Sequence, residues 1–347
     1  MLGKLLDGRY RIVQVLRAGG FGETYIAEDT RRINNPRCVV KQLKPASNDP
    51  SYLQISRRLF YSEAETLQNL GDHHNQIPRL LAYFEEDQEF YLVQDFIEGN
   101  PLSTEMQLSQ RWSESQVIKM LQDVLGILEF VHGYGVIHRD IKPDNLIRRY
   151  KDDRLVLIDF GAVKQVRTQI ATGQTQITAT VAIGTPGYMP AEQAQGKPQL
   201  NSDIYALGMI GIQALTGLYP TQLQEDRHTG EILWQQYAQV SDRLANILNQ
   251  MVRYDYRRDR YQSAGEVLQA LQQLVSPLLP TQPLNSEDIW GQKTNHPQNL
   301  LPQKILKTKS PSNTSSYRRK KLVAVIGLIP FILIPILLIV SLLLLAR

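Results

Sequence analysis

A short polar segment in the middle of the chain carries several groups that could handle protons and phosphate. It reads His138-Arg139-Asp140-Ile141-Lys142-Pro143-Asp144-Asn145 and places a carboxylate, a lysine and an amide within one loop after a predicted helix. The apolar run 155–158 predicts a strand, and Asp159-Phe160-Gly161 follows it directly. We therefore expect Asp159 to bring a second carboxylate to the same cleft.

Phosphoryl transfer from ATP is the chemistry that these groups predict. The reaction needs a base or orienting group for the attacking hydroxyl, oxygen ligands for Mg²⁺ and a cation on the phosphates. Lys41, which ends the apolar segment 39–41, would supply the cation, and such a lysine needs a fixed anion. Glu63 on the next predicted helix could be that partner, although a carboxylate on an amphipathic helix is more often solvated surface.

Three glycines upstream could admit the phosphates of a nucleotide. Gly19, Gly20 and Gly22 lie between two predicted strands, where the absence of side chains lets backbone amides approach a ligand closely. On these residues alone, plain turn chemistry in a glycine-rich hairpin is the more frequent explanation. The nucleotide interpretation depends on Lys41 and on the polar segment downstream.

The elements that must position these residues differ between the two parts of the chain. Before about residue 111, short runs bounded by turn residues predict strands at 10–16, 23–28, 37–43, 79–84 and 89–94. Leu59, Leu67 and Leu70 recur near helical spacing and predict a helix over 59–70. A small sheet with one helix is therefore expected.

After Trp112 the pattern becomes helical. A stripe of apolar residues predicts a helix that stops near Gly133 and Gly135; its members are Val117, Leu121, Val124, Leu128 and Val131. The segments 206–215, 243–252 and 265–274 have the same character, and prolines at 277, 280 and 283 mark the end of the fold. This second part is expected to be mainly helical.

Taken in order, these motifs resemble those of the protein kinase superfamily over about residues 10–275. Gly20-Phe21-Gly22-Glu23-Thr24-Tyr25 and Gln76-Ile77-Pro78-Arg79-Leu80-Leu81 look like segments of eukaryotic-like bacterial serine/threonine kinases, cyanobacterial ones in particular. The resemblance implies an α+β, two-lobed fold. A small N-terminal lobe with an antiparallel sheet and one main helix would cover about residues 10–95, and a larger, mostly helical C-terminal lobe about residues 96–275.

The resemblance also implies a role for each motif residue. Asp140 would be the catalytic base with Lys142 beside it, and Lys41 would bind phosphate with Glu63 as its partner. Asn145 and Asp159 would hold Mg²⁺, so ATP and Mg²⁺ are the expected ligands. The nucleotide-binding residues implied are Leu16, Gly19, Gly20, Gly22, Thr24, Lys41, Asp95 and Ile97.

Other matches concern the substrate. Lys142, two residues after Asp140, and Thr185 in Gly184-Thr185-Pro186-Gly187-Tyr188 match the serine/threonine branch. Asp203 resembles the family's buried aspartate that braces the catalytic loop, and Glu192 and Arg260 match a conserved ion pair. These features separate protein kinases from small-molecule kinases of similar fold, so the resemblance implies protein substrates.

The segment between Asp159 and Glu192 is rich in threonine, at 168, 172, 175, 178, 180 and 185. Arg139 is in the position of the family's arginine that often binds the phosphate of an activating phosphorylated residue. We expect autophosphorylation in this segment, with a dimer allowing it to occur in trans. A threonine-rich loop without modification explains any single position equally well.

Two departures from the family pattern leave alternatives open. Arg17 occupies the first glycine position of the phosphate loop, and Pro190-Ala191-Glu192 reverses the usual order of proline and alanine. Neither removes a catalytic group. A pseudokinase that binds partners without turning over ATP is the main alternative, encouraged by Arg17, and a small-molecule kinase is the other.

Charge is unevenly distributed along the chain. Residues 289–347 hold nine of the 38 Lys and Arg and none of the 34 Asp and Glu, which leaves 29 basic against 34 acidic residues upstream. Because the excess positive charge lies in a Ser, Pro, Asn and Lys-rich tail rather than in the folded part, no nucleic-acid binding is expected. Cys38, the single cysteine, is expected in the core, and His73 and His74 at the surface.

The C-terminal end predicts a membrane anchor. Residues 322–346 form an uncharged apolar stretch long enough to cross a bilayer core of about 30 Å as a helix. Four basic residues at 318–321 precede it, and this arrangement favours a cytoplasmic N-terminal side. We expect a single-pass anchor with the kinase domain in the cytoplasm, joined by a flexible basic linker over 276–321.

Overall fold

The computed structural model describes residues 1–19, 22–44, 49–160 and 185–275, all of which belong to one compact unit, Met1–Thr281. The strands within these ranges are β1 (Leu5–Leu6), β2 (Tyr10–Gly19), β3 (Gly22–Asp29), β4 (Arg37–Leu43), β5 (Leu80–Glu86), β6 (Glu89–Asp95), β7 (Gly99–Pro101), β8 (Leu146–Arg149), β9 (Leu155–Leu157), β10 (Gln224–Glu225) and β11 (Ile232–Leu233). The α-helices are α1 (Pro50–His73), α2 (Leu102–Glu105), α3 (Glu114–Gly133), α4 (Ala191–Ala194), α5 (Leu200–Thr216), α6 (Asp242–Met251) and α7 (Ala264–Val275).

The N-terminal part is an antiparallel sheet in the order β1-β2-β3-β4-β6-β5. Side chains alternate across a strand, and in β4 the residues Cys38, Val40 and Gln42 are buried on one side. Cys38 and Val40 belong to an apolar cluster with Tyr25 and Tyr91 on that face. Lys41 therefore projects from the opposite face.

Helix α1 packs against β5 and β6 and closes the N-terminal part. Phe60, Ala64, Leu67 and Leu70 bury its apolar stripe in the main core. The helix begins at Pro50, well before the predicted start at 59. Proline suits the first turn of a helix, and backbone hydrogen bonds carry the helix beyond its apolar stripe.

The C-terminal part is mainly helical, as predicted. Ser113 caps α3, since its Oγ accepts a hydrogen bond from the backbone N–H of Gln116 while the Gln116 side chain accepts from the Ser113 backbone. Helix α5 is buried along almost its entire length and ends at Gly217, which has a left-handed φ of 70°. Helices α3 and α6 pack against it, and α7 packs against both α3 and α6.

The sequence patterns missed the short strands β1, β7, β8, β10 and β11. The three-stranded sheet β7-β8-β9 matters most because it positions the polar segments. β8 starts directly after Asn145, and β9 ends two residues before Asp159. Leu146 pairs with Leu157, so the hairpin brings Asn145 opposite Ile158, the residue before Asp159.

Several predictions fall outside the described residues. These are Gly20, the threonines at 168–180, the linker 276–321 and the membrane span 322–346. Within the part of the chain that the structure describes, no helix combines the length and the apolar character needed to cross a membrane.

Candidate active site

Asp140 is held in a fixed orientation by its neighbours in the polar segment. Asn145 Nδ2 donates to the Asp140 backbone oxygen and to its Oδ2, both at 2.8 Å, and Lys142 Nζ lies 3.0 Å from the same Oδ2. All three residues are buried. The arrangement gives one carboxylate a defined direction, as an orienting group for a hydroxyl requires.

His138 joins this segment to the strand that precedes Asp159. The Asp140 N–H donates to His138 Nδ1 at 3.3 Å, so the proton of the neutral ring is on Nε2, which donates to the Ile158 oxygen at 3.0 Å. Burial lowers the pKa of His138 despite the nearby carboxylates, which is consistent with a neutral imidazole. Its ring packs on Phe160 at 4.7 Å between centroids.

Asp203 braces the backbone of the polar segment from helix α5. Its Oδ2 accepts from the His138 N–H and its Oδ1 from the Arg139 N–H, both at 2.9 Å, and His132 Nε2 lies 2.9 Å from Oδ2. Arg139 has a left-handed φ of 68°, a conformation that costs a non-glycine residue about 1 kcal/mol or more. The charged acceptor on α5 stabilises that strained turn, as the resemblance implied for Asp203.

Asp159 makes an ion pair with Lys41 that the sequence did not predict. Lys41 Nζ lies 2.9 Å from Asp159 Oδ1, and the two side chains are 14% and 31% exposed. Burial opposes the charge on Lys41, but the carboxylates of Asp159 and Glu63 outweigh it and raise its pKa. The lysine is therefore a fixed cation at the end of β4, beside the hairpin.

The expected ion pair between Lys41 and Glu63 is not formed. Glu63 lies on the core-facing side of α1 with 4% of its surface exposed, and its Oε2 has no hydrogen-bond partner within the described residues. Burial raises the pKa of this carboxyl to about 8, with Lys41 acting in the opposite direction. Lys41 pairs with the more exposed Asp159 rather than with the buried Glu63.

Gly22 has a second reason to be glycine. Its φ of 136° is outside the range of L side chains, and a Cβ there would lie 2.0 Å from the Gln42 carbonyl oxygen on β4. The glycine therefore lets β3 and β4 approach, in addition to any contact with phosphate. Gly19 pairs with Gly22 across the hairpin.

Other predicted nucleotide-binding residues line the same sheet. Leu16 lies on β2 and is 47% exposed, and Thr24 on β3 pairs with Arg17 on one side and Lys41 on the other. The positive charge of Arg17 acts to lower the pKa of Lys41, so the two cations are close to each other. Arg17 thus adds positive charge near Lys41.

Asp95 and Ile97 lie where the sheet passes into the helical part. Asp95 ends β6, its N–H donates to the Arg79 oxygen at 3.1 Å, and its carboxylate pairs with Arg79 at 2.8 Å. The Ile97 N–H makes no hydrogen bond within the described part of the chain. Gln94, just before them, is 4% exposed.

The oxygen donors of this site suit a magnesium ion. Both Asn145 Nδ2 hydrogens point at Asp140, so Asn145 Oδ1 is directed elsewhere, and Asp159 adds a carboxylate across the hairpin. No group of three or more His, Cys, Asp or Glu side chains within the described ranges could hold a metal. Mg²⁺ in phosphate-transfer sites uses one or two carboxylates together with phosphate oxygens, so this smaller set fits it.

The segment that begins at Thr185 contacts the polar segment. Lys142 Nζ donates to Thr185 Oγ1 at 3.0 Å, and the Tyr188 hydroxyl bonds to Gln213 on α5. The predicted pair between Glu192 and Arg260 is present at 2.5 Å, fully buried, although Pro190 and Ala191 are reversed. The ion pair between Glu192 and Arg260 therefore forms despite the reversed order of proline and alanine before Glu192.

Sequence patterns missed several residues that support the site. Gln76, His132, Gln193 and Ser202 hydrogen-bond to the backbone or side chains of motif residues, but a lone polar residue gives no spacing signal. His73 is exposed as predicted. The expectation of an exposed His74 is wrong, since its ring packs on Phe130 at 4.8 Å and burial lowers its pKa.

Comparison with known proteins agrees with this architecture. Residues 10–283 match the family model of the protein kinase domain. The chain is 45% identical over 281 residues to serine/threonine-protein kinase PknA of Nostoc sp., covering 81% of this chain and 50% of that protein. It is 44% identical to serine/threonine-protein kinase C of Synechocystis sp., covering 84% of this chain and 55% of that protein.

The chain thus spans about half the length of the relatives it matches. Among solved structures, the kinase domain of Mycobacterium tuberculosis PknI superposes with a TM-score of 0.58 at 23% identity, covering 79% of this chain and 98% of that one. At that identity the likeness concerns the fold, and it confirms the predicted two-lobed arrangement. The chain belongs to the protein kinase domain family and is similar to cyanobacterial serine/threonine kinases.

Proposed function

We propose that the chain is a serine/threonine protein kinase that uses ATP and Mg²⁺. The observation that carries the proposal is the bridge made by Lys142, which lies 3.0 Å from both Asp140 Oδ2 and Thr185 Oγ1. It connects the carboxylate that would orient the hydroxyl with the threonine-containing segment on which a peptide would lie. The names of the similar cyanobacterial proteins support the same assignment.

Each group has a defined task in this proposal. Asp140 accepts the proton of the serine or threonine hydroxyl and directs its oxygen, while the Lys142 ammonium lies beside the incoming phosphoryl group. Lys41 and Arg17 place positive charge on the phosphates. Mg²⁺, held by Asp159 and Asn145, would neutralise charge that develops on the phosphate oxygens.

We also propose that phosphorylation of the threonine-rich segment activates the enzyme. Arg139 supports this idea, because its Nε is buried without a hydrogen-bond partner within the described residues. Burial lowers the pKa of this guanidinium. A phosphothreonine would supply an anion for this partly buried cation.

Membrane anchoring is proposed on the sequence alone. The uncharged stretch 322–346 and the preceding basic residues 318–321 support a single span with the catalytic part in the cytoplasm. Alkaline carbonate extraction of membranes from expressing cells tests it. Release of the full chain into the soluble fraction would contradict the proposal.

Phosphate transfer by the purified full chain tests the central proposal. The protein is incubated with Mg²⁺, radiolabelled ATP and a generic protein substrate, and labelled residues are identified by mass spectrometry. We expect label on serine or threonine for the wild type and none for Asp140→Asn. Asp153→Asn is the matched control, since Asp153 lies on an exposed turn and pairs with Lys119.

The alternatives give different results in the same assay. ATP binding without transfer to any protein would identify a pseudokinase. Transfer to a small hydroxylated metabolite but not to protein would identify a small-molecule kinase. Active wild-type enzyme with an unmodified segment 161–184 would refute activation by autophosphorylation and leave the kinase assignment standing.

A further inference from the structure

A ring of hydrogen bonds connects the loop after α1 with the strand that leads to Asp159. Gln76 lies at its centre and is 3% exposed. Its Nε2 donates to Asp123 Oδ1 at 2.9 Å and to the Leu155 oxygen at 2.8 Å. Its Oε1 accepts from Arg154 Nη2 at 2.6 Å. The Gln76 side chain therefore bonds to α3, to β9 and to Arg154, the residue before β9.

Asp123 on α3 closes the ring. Its Oδ2 accepts from the Leu155 N–H and its Oδ1 accepts from Arg154 Nε, both at 2.6 Å. The backbone of Leu155 is consequently bound through its oxygen by Gln76 and through its N–H by Asp123. A neutral amide that donates to a carboxylate and a carbonyl at once cannot be replaced by an acid without repulsion.

The backbone of Gln76 also forms a hydrogen bond with β9. The Leu157 N–H donates to the Gln76 oxygen at 2.9 Å, while Leu157 pairs with Leu146 of β8 on its other side. The loop itself is fixed by the packing of His74 on Phe130. β9 is thus bonded on both edges immediately before Asp159.

Asp159 depends on such support. Its φ of 66° is unfavourable for a residue with a side chain and persists only where the surroundings fix the backbone. The Ile158 N–H donates to the Asn145 oxygen at 2.9 Å, which holds the chain on one side of Asp159. The register of β9 decides where the Asp159 carboxylate stands relative to Lys41 and Asn145.

We propose that Gln76 is a positioning residue for Asp159, acting through Leu155 and Leu157 of β9. The inference rests on the proposed role of Asp159 in binding Mg²⁺. Loss of the Gln76 amide would loosen β9 and weaken metal binding at Asp159 without touching the protein substrate. In this proposal the loop after α1 and strand β9 together fix the position of the Asp159 carboxylate.

The test compares wild type, Gln76→Met and the control Asp153→Asn in the full chain. Methionine keeps the length of the side chain but removes its three hydrogen bonds. Three quantities are measured: Mn²⁺ affinity by electron paramagnetic resonance with a non-hydrolysable ATP analogue, the Mg²⁺ concentration for half-maximal transfer, and hydrogen exchange over 155–157. Supporting residues of metal sites alter affinity by about 10–100-fold, and we expect a loss of about tenfold for Gln76→Met.

We further expect faster exchange at Leu157 and an unchanged KM for the protein substrate. A Gln76→Met protein that unfolds at a lower temperature but keeps its Mn²⁺ affinity and its Leu157 exchange rate would overturn the inference. If Gln76→Met does not fold, Arg154→Met removes the bonds to Gln76 Oε1 and Asp123 Oδ1 but leaves both bonds of Gln76 Nε2, and it should shift the same quantities less; no shift in that folded variant would also overturn it. A wild type that binds Mn²⁺ but transfers no phosphate would refute the proposed activity instead.

Discussion

The buried ion pair between Glu192 and Arg260 allows a quantitative prediction for Arg260→Met. The two side chains are 2% and 1% exposed and their charged atoms are 2.5 Å apart. Arg260 also donates to the Arg253 oxygen from Nε at 2.9 Å and from Nη2 at 2.7 Å, and its guanidinium lies 4.9 Å from the ring centroid of Tyr205. Methionine preserves much of the side-chain volume but removes all of these polar contacts.

The expected loss follows from the charge left behind. In Arg260→Met, Glu192 remains buried with the Ser202 hydroxyl as its donor at 2.8 Å, and the Arg253 oxygen loses both its bonds. Removing one partner of a buried pair costs about 3–5 kcal/mol. For a domain of this size each kcal/mol lowers the unfolding temperature by about 2 °C, so we expect a fall of roughly 6–10 °C.

Thermal unfolding followed by circular dichroism measures this, with the double variant Glu192→Gln/Arg260→Met as the matched control. The double variant removes the unpaired charge and should recover part of the loss, since most of the cost is the buried carboxylate. An Arg260→Met protein that unfolds within about 2 °C of wild type would refute the reasoning. So would a double variant that is less stable than Arg260→Met.

Three further predictions concern other parts of the fold. Asp203→Asn loses the charged acceptor of the His138 and Arg139 amides, and each of these hydrogen bonds is worth about 1.5–3 kcal/mol. The kcat of the transfer assay should therefore fall at least tenfold, and an unchanged kcat would contradict the bracing role of Asp203. Gly22→Ala must displace β4 because its Cβ would lie 2.0 Å from the Gln42 oxygen, so it should raise the KM for ATP and destabilise the protein by about 1–3 kcal/mol. The control Gly126→Ala, on the exposed face of α3, should stabilise the protein by about 1 kcal/mol. Equal effects of the two substitutions on urea unfolding would be inconsistent with this account. Burial raises the pKa of Cys38 from 9.0 to about 12, so between these pH values the folded state keeps a proton that the unfolded chain has lost, and the stability contributed by the neutral thiol declines as pH rises from 9 towards 12. Iodoacetamide at pH 8.5, with labelling read by mass spectrometry, should modify Cys38 in urea but not in buffer. Rapid labelling of the native protein would contradict the burial of Cys38.

The sequence by itself determined much of the fold and the composition of the site. The short run 37–43 predicted β4, and the stripe from Val117 to Val131 predicted α3, because the periods of strands and helices depend on local backbone geometry. The groups for phosphoryl transfer were identifiable from residue type and spacing within one short segment. Helix ends were less certain, as α1 shows, since backbone hydrogen bonding continues past the apolar stripe.

Only the tertiary structure decided which of these groups are partners. Lys41 and Asp159 are more than a hundred positions apart, and their ion pair, in place of the expected pair with Glu63, depends on how deeply α1 buries Glu63. The ring around Gln76 joins a loop, a helix and a strand that no periodicity connects. Such contacts are set by packing and by the need to satisfy buried polar groups, which are properties of the folded chain as a whole.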